Sequence, residues 1–172
     1  MYRRIVVPLD GSKIAEGVLP HAIGLAKAHQ AELALVRAVD PRSAVPNGYV
    51  LPEGPAQALQ RTMERDAQAY LTAVAAGLSE QGIPVVTAVV TGPPAEGVVA
   101  WATSHEADLI ALMSHGLGRS ARWVFGSVAD RLLQSSPIPI LVVRATQQVL
   151  ESQEEYEESL LDTKLLEAMQ PQ

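Results

Sequence analysis

Short, mostly apolar runs alternate with amphipathic segments along most of the chain. The runs are apolar on both faces and are bounded by turn-forming residues, which is typical of parallel strands covered on both sides. Their short length favours strands over buried helices. The pattern predicts five strands, at residues 5–10, 33–39, 84–90, 109–113 and 140–143.

Four amphipathic segments between these runs predict helices, because their apolar residues recur at helical spacing. They lie at residues 12–26, 59–78, 95–105 and 128–133. Ser12 is a good N-cap for the first helix, and Pro20 is expected to bend that helix because it lacks a backbone donor. Residues 41–55 contain four prolines and two glycines, so a long loop is predicted there.

Strands that alternate with helices predict an α/β fold, in which a doubly wound parallel sheet carries helices on both faces. Such a sheet binds ligands beyond the carboxyl ends of its strands, at the point where the strand order reverses. Ligand-binding residues are therefore expected in the segments that directly follow the strands.

The segment between the last two predicted strands carries the clearest candidate chemistry. A loop rich in small and basic residues spans 114–122, and Gly126 and Ser127 then open a helix. Unpaired N–H groups at a helix start, together with the helix dipole, favour a bound anion such as phosphate. A Walker loop is excluded because no Lys directly follows a Gly. Residues 116–121 match a dinucleotide fingerprint, but they follow the fourth strand rather than the first.

This loop resembles the nucleotide loop of universal stress proteins, G-2x-G-9x-G-[S/T]. Gly116, nine further residues and then Gly126-Ser127 carry the resemblance, and the flanks DLIALMSHG and RWVFGSVADRLLQSSPIPILVVR agree. The N-terminal segment RRIVVPLDGSKIAEGVLPHAIGLA resembles the first strand and helix of the family. Matching segments span residues 2–144, and the chain is identified as a member of this family. The resemblance implies a Rossmann-like sheet with strand order 3-2-1-4-5.

The resemblance also implies that the chain binds an adenine nucleotide, ATP or AMP, with Mg²⁺ as a candidate companion. The implied contact residues are Pro8, Asp10, Ala38, Leu112, Met113, Gly116, Gly126, Ser127 and Val128. Pro8 and Ala38 would lie near the base and Asp10 near the ribose. Gly126 and Ser127 would donate to the phosphates.

Two of these residues have alternative interpretations. Asp10 is also suited to a purely local role, capping the first helix together with Ser12. Met113 stands where the family motif has its first glycine. Methionine is adaptable, so its side chain either narrows the cleft or packs on the bound ring. The sequence leaves both questions open.

Three functions therefore remain under comparison. The first is a homodimeric nucleotide-binding module of a stress response, in which any hydrolysis is incidental. The second is a slow ATPase that uses Mg²⁺, with Asp10 as the candidate metal or water partner. The third is a dimeric scaffold that binds no nucleotide and acts through its C-terminal tail.

Composition narrows the classes further. The 172 residues include no cysteine, which excludes disulfides and thiolate metal sites and is compatible with a cytoplasmic location. No histidine has partners at metal-ligand spacing, so a metal centre is not expected. No apolar run approaches the ~18 residues of a membrane span, so no membrane association is expected. The net charge of −6 arises beyond residue 144, because residues 1–144 carry 12 acidic and 12 basic side chains. A neutral body with an acidic tail does not indicate a nucleic-acid binder.

The chain therefore divides into a domain at residues 1–145 and an acidic, partly helical extension at residues 146–172. Pro137 and Pro139 place the last strand at a sheet edge, and a bare apolar edge needs cover. The family resemblance implies a homodimer through residues 140–143. Leu161 and Leu165 recur at helical spacing in the extension, which makes it a candidate for docking a protein partner.

Overall fold

Five parallel strands form one sheet in the computed structural model, which describes residues 1–45, 51–114 and 126–144. The strands are β1 (Arg4–Pro8), β2 (Glu32–Val39), β3 (Val85–Thr91), β4 (Leu109–Ser114) and β5 (Ile140–Arg144). Their order across the sheet is 3-2-1-4-5, so the order reverses between β1 and β4. The predicted strands and the predicted order are confirmed.

Helices cover both faces of the sheet. In chain order they are α1 (Lys13–Glu16), α2 (Leu19–His29), α3 (Glu53–Ser79), α4 (Pro94–Ser104) and α5 (Ser127–Ser135), and a 3₁₀ turn spans Pro41–Ala44. Ser12 caps α1 as predicted, because its hydroxyl accepts a hydrogen bond from the Ala15 N–H at 3.1 Å. The fold is the doubly wound, Rossmann-like α/β class that the sequence predicts.

Two local expectations were wrong, and proline accounts for both. The single bent helix is in fact two helices, because α1 ends at Glu16 and α2 begins at Leu19 with Pro20 in its first turn. The loop predicted to reach residue 55 ends earlier, since α3 begins at Glu53 with Pro55 in its first turn. N–H groups of a first helical turn have no partner within the helix, so proline is tolerated there.

Alternate residues along each strand divide the core into two layers. On β1, Ile5 and Val7 face the layer under α1, α2 and α3, and Val6 faces the layer under α4 and α5; all three are fully buried. On β4, Leu109, Ala111 and Met113 follow the first pattern, while Ile110 and Leu112 follow the second. The side chain at any strand position therefore belongs to one identifiable face.

Polar groups connect the strands at the amino end of the sheet. The Asp108 carboxylate accepts hydrogen bonds from the backbone N–H groups of Arg3, at 2.6 Å, and Arg4, at 2.9 Å. The Arg4 side chain forms an ion pair with Glu32 at 2.7 Å and donates to the His105 carbonyl. These contacts join the beginnings of β1, β2 and β4.

Several predictions concern parts of the chain outside the described residues. Gly116 and most of the phosphate loop lie there, as does the extension at 146–172.

The homodimer through residues 140–143 remains a prediction for a different reason. These residues are described, and β5 forms one edge of a single sheet. Within the described ranges, no helix is long and apolar enough to cross a membrane.

Candidate functional site

A cavity opens at the carboxyl ends of β1, β2 and β4, where the strand order reverses. Its volume is about 130 Å³. It lies mainly between the sheet and the helices α4 and α5. The lining residues are Pro8, Leu9, Asp10, Ala15, Val36, Ala38, Pro94, Val98, Leu112, Met113, Val128 and Ala129. The cavity therefore occupies the position where doubly wound sheets bind ligands.

Small side chains at the strand ends leave this space open. Val36 and Ala38 lie two residues apart on β2 and both reach the cavity, with Ala38 at the upper end where a larger side chain would fill it. Ala15 and Ala129 line two further walls. With Pro8 and Leu112, these residues make a mostly apolar slot, which suits a flat, weakly polar ring.

Asp10 places a carboxylate at the rim of the slot. The residue is exposed, and its Oδ1 accepts a hydrogen bond from the Ser12 N–H at 2.9 Å. The predicted local role is thus present, because Asp10 and Ser12 together organise the turn into α1. The same carboxylate lines the cavity, so the local role and a ligand-binding role are compatible.

Met113 packs into the core and does not close the slot. It is 4% exposed and lies opposite Val143 on β5. Its place in the strand alternation puts it in the core layer of Leu9 and Ile14, on the face away from α4 and α5. It still contributes to the cavity edge, beside Leu112. The cavity therefore persists although a methionine replaces the glycine of the motif.

The first turn of α5 forms another wall of the cavity. Gly126 is the N-cap, and Val128 and Ala129 line the cavity directly. The first N–H groups of a helix have no partner within the helix, and the helix dipole adds partial positive charge at that end. This wall therefore suits an anionic group such as phosphate.

An ion pair joins the two helices that cover the cavity. Glu96, in the first turn of α4, lies 2.8 Å from Arg131 on α5. The backbone N–H of Glu96 itself is the main cause that lowers the pKa of its carboxyl, and the hydrogen bond from Arg131 adds to it. Both side chains are exposed, so the pair contributes little to stability.

Most of the predicted contact residues meet in this one cavity. Six of the nine line it: Pro8, Asp10, Ala38, Leu112, Met113 and Val128. Gly126 and Ser127 begin the helix that forms one wall, and Gly116 lies outside the described residues. The individual roles of these residues stay predictions.

The contribution of α4 to the cavity was not predicted from the sequence. Pro94 and Val98 line the cavity from that helix, and Val36 lies beneath Ala38. The two-residue spacing along β2 was a usable signal for Val36. For Pro94 and Val98 the sequence offered none, since the packing of α4 over the strand ends is a tertiary feature.

No group of three or more His, Cys, Asp or Glu side chains that could hold a metal ion occurs within the described ranges. Asp10 is the acidic residue at the cavity rim.

The walls of the cavity together suit the three parts of a nucleotide. The apolar slot suits a base, the rim carboxylate can accept hydrogen bonds from ribose hydroxyls, and the N–H groups at the helix start suit a phosphate.

The fold and the cavity define a doubly wound α/β domain with a ligand site at its switch point. Residues 1–144 match the model of the Universal stress protein family, and the chain belongs to this family. Universal stress protein MJ0531 of Methanocaldococcus jannaschii is 32% identical over 145 residues, covering 84% of this chain and 83% of that protein.

Solved structures agree with this assignment. Hypothetical protein MJ0577, the subject of a structure-based assignment of biochemical function, has a TM-score of 0.72 and is 26% identical, covering 86% of this chain and 99% of its own. A universal stress protein in complex with cAMP has a TM-score of 0.56 and is 25% identical, covering 84% of this chain and 98% of its own.

Proposed function

We propose that this chain binds an adenine nucleotide, ATP or AMP, in the cavity at the ends of β1, β2 and β4. In this proposal the protein acts as a regulatory or binding module of a stress response. The observation that carries the proposal is the convergence of six residues, predicted from the sequence, on one cavity. The relative of known structure that holds cAMP supports an adenine ligand.

The proposed binding mode follows the chemistry of the walls. The base occupies the slot of Pro8, Ala38 and Leu112, where its faces leave water for apolar contacts. Asp10 accepts hydrogen bonds from the ribose hydroxyls. The phosphate lies at the start of α5, near Ser127 and Val128, where helix N–H groups and the dipole stabilise negative charge. Any Mg²⁺ would arrive with the phosphates of ATP rather than in a protein cage.

The proposal includes a homodimer through the outer edge of β5. Its residues Ile140 to Val143 are all half-buried although they are apolar on both faces of the sheet. An uncovered apolar edge is a template for pairing with another strand, so a second copy of the chain would stabilise it. A cytoplasmic location and a partner for the 146–172 extension likewise stay predictions.

A melting experiment tests the nucleotide proposal. The purified protein is heated alone and with AMP, ATP, cAMP or GTP, each with and without Mg²⁺. A ligand present at 100 times its Kd adds about 2.7 kcal/mol to the free energy of unfolding. This corresponds to a rise of roughly 5–10 °C in Tm for a domain of this size. We expect the rise with adenine nucleotides and not with GTP.

Two variants and one control variant sharpen this experiment. Asp10→Ala should reduce the rise in Tm that the nucleotide causes. Asp66→Ala, which removes an exposed carboxylate on α3, should not reduce it.

Met113→Gly distinguishes the hypothesis of a nucleotide-binding module from the hypothesis of a scaffold that binds no nucleotide. If the natural protein shows no rise in Tm at millimolar nucleotide and Met113→Gly does, then the methionine at the cavity edge prevents binding and the scaffold hypothesis is correct. No shift with either protein would reject a nucleotide site altogether.

A further inference from the structure

A second polar cluster lies behind the cavity, on the opposite face of the sheet. Arg37 precedes Ala38 on β2, so its side chain points away from the slot and toward α3. The guanidinium carbon lies 5.1 Å from the ring centroid of Tyr70, a cation–π distance. The Tyr70 hydroxyl donates to Glu16 Oε1 at 3.1 Å, and Lys13 Nζ lies 2.8 Å from the other Glu16 oxygen.

Gly11 connects this cluster to the rim of the cavity. The residue follows Asp10 directly, and its φ of +94° lies in the region that favours glycine. A Cβ at Gly11 would lie 3.2 Å from each terminal nitrogen of Arg37 and 3.3 Å from the guanidinium carbon. The planar guanidinium therefore packs so close to the loop backbone that a Cβ at this position would make an unusually tight contact with it.

We propose that Arg37 is a positioning residue for nucleotide binding. Its guanidinium lies between the Tyr70 ring and the Gly11 backbone, and holds the loop 10–12 so that Asp10 faces the cavity. The proposal rests on the proposed function, because the loop is positioned for the nucleotide. Arg37 itself lies on the far face of the sheet and makes no contact with the ligand.

Arginine suits this place better than other cations. Its planar group can stack on an aromatic ring with one face and support a backbone with the other, whereas an ammonium is a compact point charge. Tyr70 is anchored in turn by Glu16. Burial and, next, the charge of Glu16 raise the pKa of Tyr70 well above its ordinary value, so the hydroxyl stays a hydrogen-bond donor at physiological pH.

Hydrogen exchange of the ligand-free protein tests the support of the loop. The Ser12 N–H, which donates to Asp10, reports on the loop, and the Leu9 N–H, which donates to the Val36 carbonyl at 2.9 Å, reports on the strand end. Arg37→Met keeps an unbranched chain but removes the planar group. We expect the Ser12 amide to exchange about tenfold faster in that variant, with Leu9 unchanged. Unchanged exchange at Ser12 would overturn the proposal, whatever the protein binds.

Affinity for AMP, measured by calorimetry, tests the link to binding. We expect Arg37→Met to weaken AMP binding about tenfold in the natural background, the size of one lost charged contact. In an Asp10→Ala background the same change should have no further effect, because Arg37 acts through that carboxylate. Equal losses in both backgrounds would assign Arg37 a merely structural role and reject the proposal.

Two further variants and the parent complete the design. Arg37→Lys keeps the positive charge but lacks the planar guanidinium. It should recover little of the AMP affinity that is lost in Arg37→Met. Arg65→Met removes an arginine with a 77% exposed side chain on α3 and should change neither exchange nor affinity. If the parent protein itself binds no AMP, the proposed function fails, and the exchange of Ser12 alone decides whether Arg37 supports the loop.

Discussion

The two ends of the sheet use their polar groups in different ways. At the amino end, Asp108 and the Arg4–Glu32 pair bind other groups of the protein and join three strands. At the carboxyl end, small residues such as Ala38 leave a cavity, and the Asp10 carboxylate faces it from an exposed loop. The physical reason is directional: the carboxyl ends of parallel strands lead to helix starts, whose N–H groups need acceptors. Substitutions at the two ends should therefore separate stability from binding.

The largest effect is expected from filling the cavity. Ala38→Leu places a large side chain in a space of about 130 Å³. We expect AMP affinity to fall by at least about 100-fold, since the base loses its place, with little change in the Tm of the ligand-free protein. Calorimetry and a melting curve measure the two effects. The control is Ala69→Leu, which makes the same change at an exposed position on α3. Undiminished binding in Ala38→Leu would show that this cavity is not the site.

Two glycines allow a matched comparison of the ends. Gly82, near the amino end of β3, has a φ of +75°, and an added Cβ there would have no atom of the described residues within 4 Å beyond its chain neighbours, whereas Gly11 has a φ of +94° and meets Arg37. We expect Gly82→Ala to cost about 1 kcal/mol of unfolding free energy from backbone strain alone, and Gly11→Ala about 2 kcal/mol. Only Gly11→Ala should weaken AMP binding.

Urea denaturation measures these costs, and a second substitution identifies their source. In an Arg37→Met background the extra cost of Gly11→Ala should shrink, because the opposing group is now flexible. If the two glycine variants cost the same in the natural background, the guanidinium does not constrain the loop.

The smallest effect is expected at the amino end. Backbone N–H groups of Arg4 and then Arg3 hold the pKa of Asp108 below its ordinary value of 3.8. Because the pKa of Asp108 is lower in the folded protein, the ionised carboxylate stabilises the fold at pH values above 3.8. This contribution disappears as the pH falls through the lower pKa of the folded state. Asp108→Asn should therefore cost about 1 kcal/mol at neutral pH. AMP affinity should not change.

Urea denaturation over a series of decreasing pH checks this expectation. The difference between the natural protein and Asp108→Asn should narrow as acid protonates Asp108. Asp66→Asn, at a 64% exposed position, is the control and should show no such narrowing. A difference that stays constant with pH would mean that the charge of Asp108 is not its source.

Parts of the fold followed directly from local pattern. Mostly apolar runs predicted all five strands, because parallel strands covered on both faces are largely apolar. Ser12 was predicted as a cap from its residue type and position alone, and it makes the expected bond. Pro20 shows the limit of such reasoning. Proline disfavours a helix interior, but only the folded chain shows whether it bends one helix or begins a new one.

The residues of the candidate site also divide into those that the sequence predicted and those that it left open. Pro8 and Asp10 were predictable, because they lie at the end of the first strand and just beyond it, in a segment that resembles the family. The strand order came from the family resemblance, since periodicity alone does not distinguish one arrangement of parallel strands from another. The place of Met113 was open, because its layer depends on strand alternation and on what packs there.

By itself, the sequence determined the class of fold and the ends of most elements, which depend on short-range properties: apolar periodicity, capping and turn residues. The corner of the sheet where a ligand can bind followed from the strand order that the family resemblance implies. Only the tertiary structure decided that Pro94 and Val98 cover the cavity and that Arg37 packs on Gly11 behind it. Such contacts join residues that are distant in the chain. They depend on how the helices pack on the sheet, and local sequence patterns do not specify that packing.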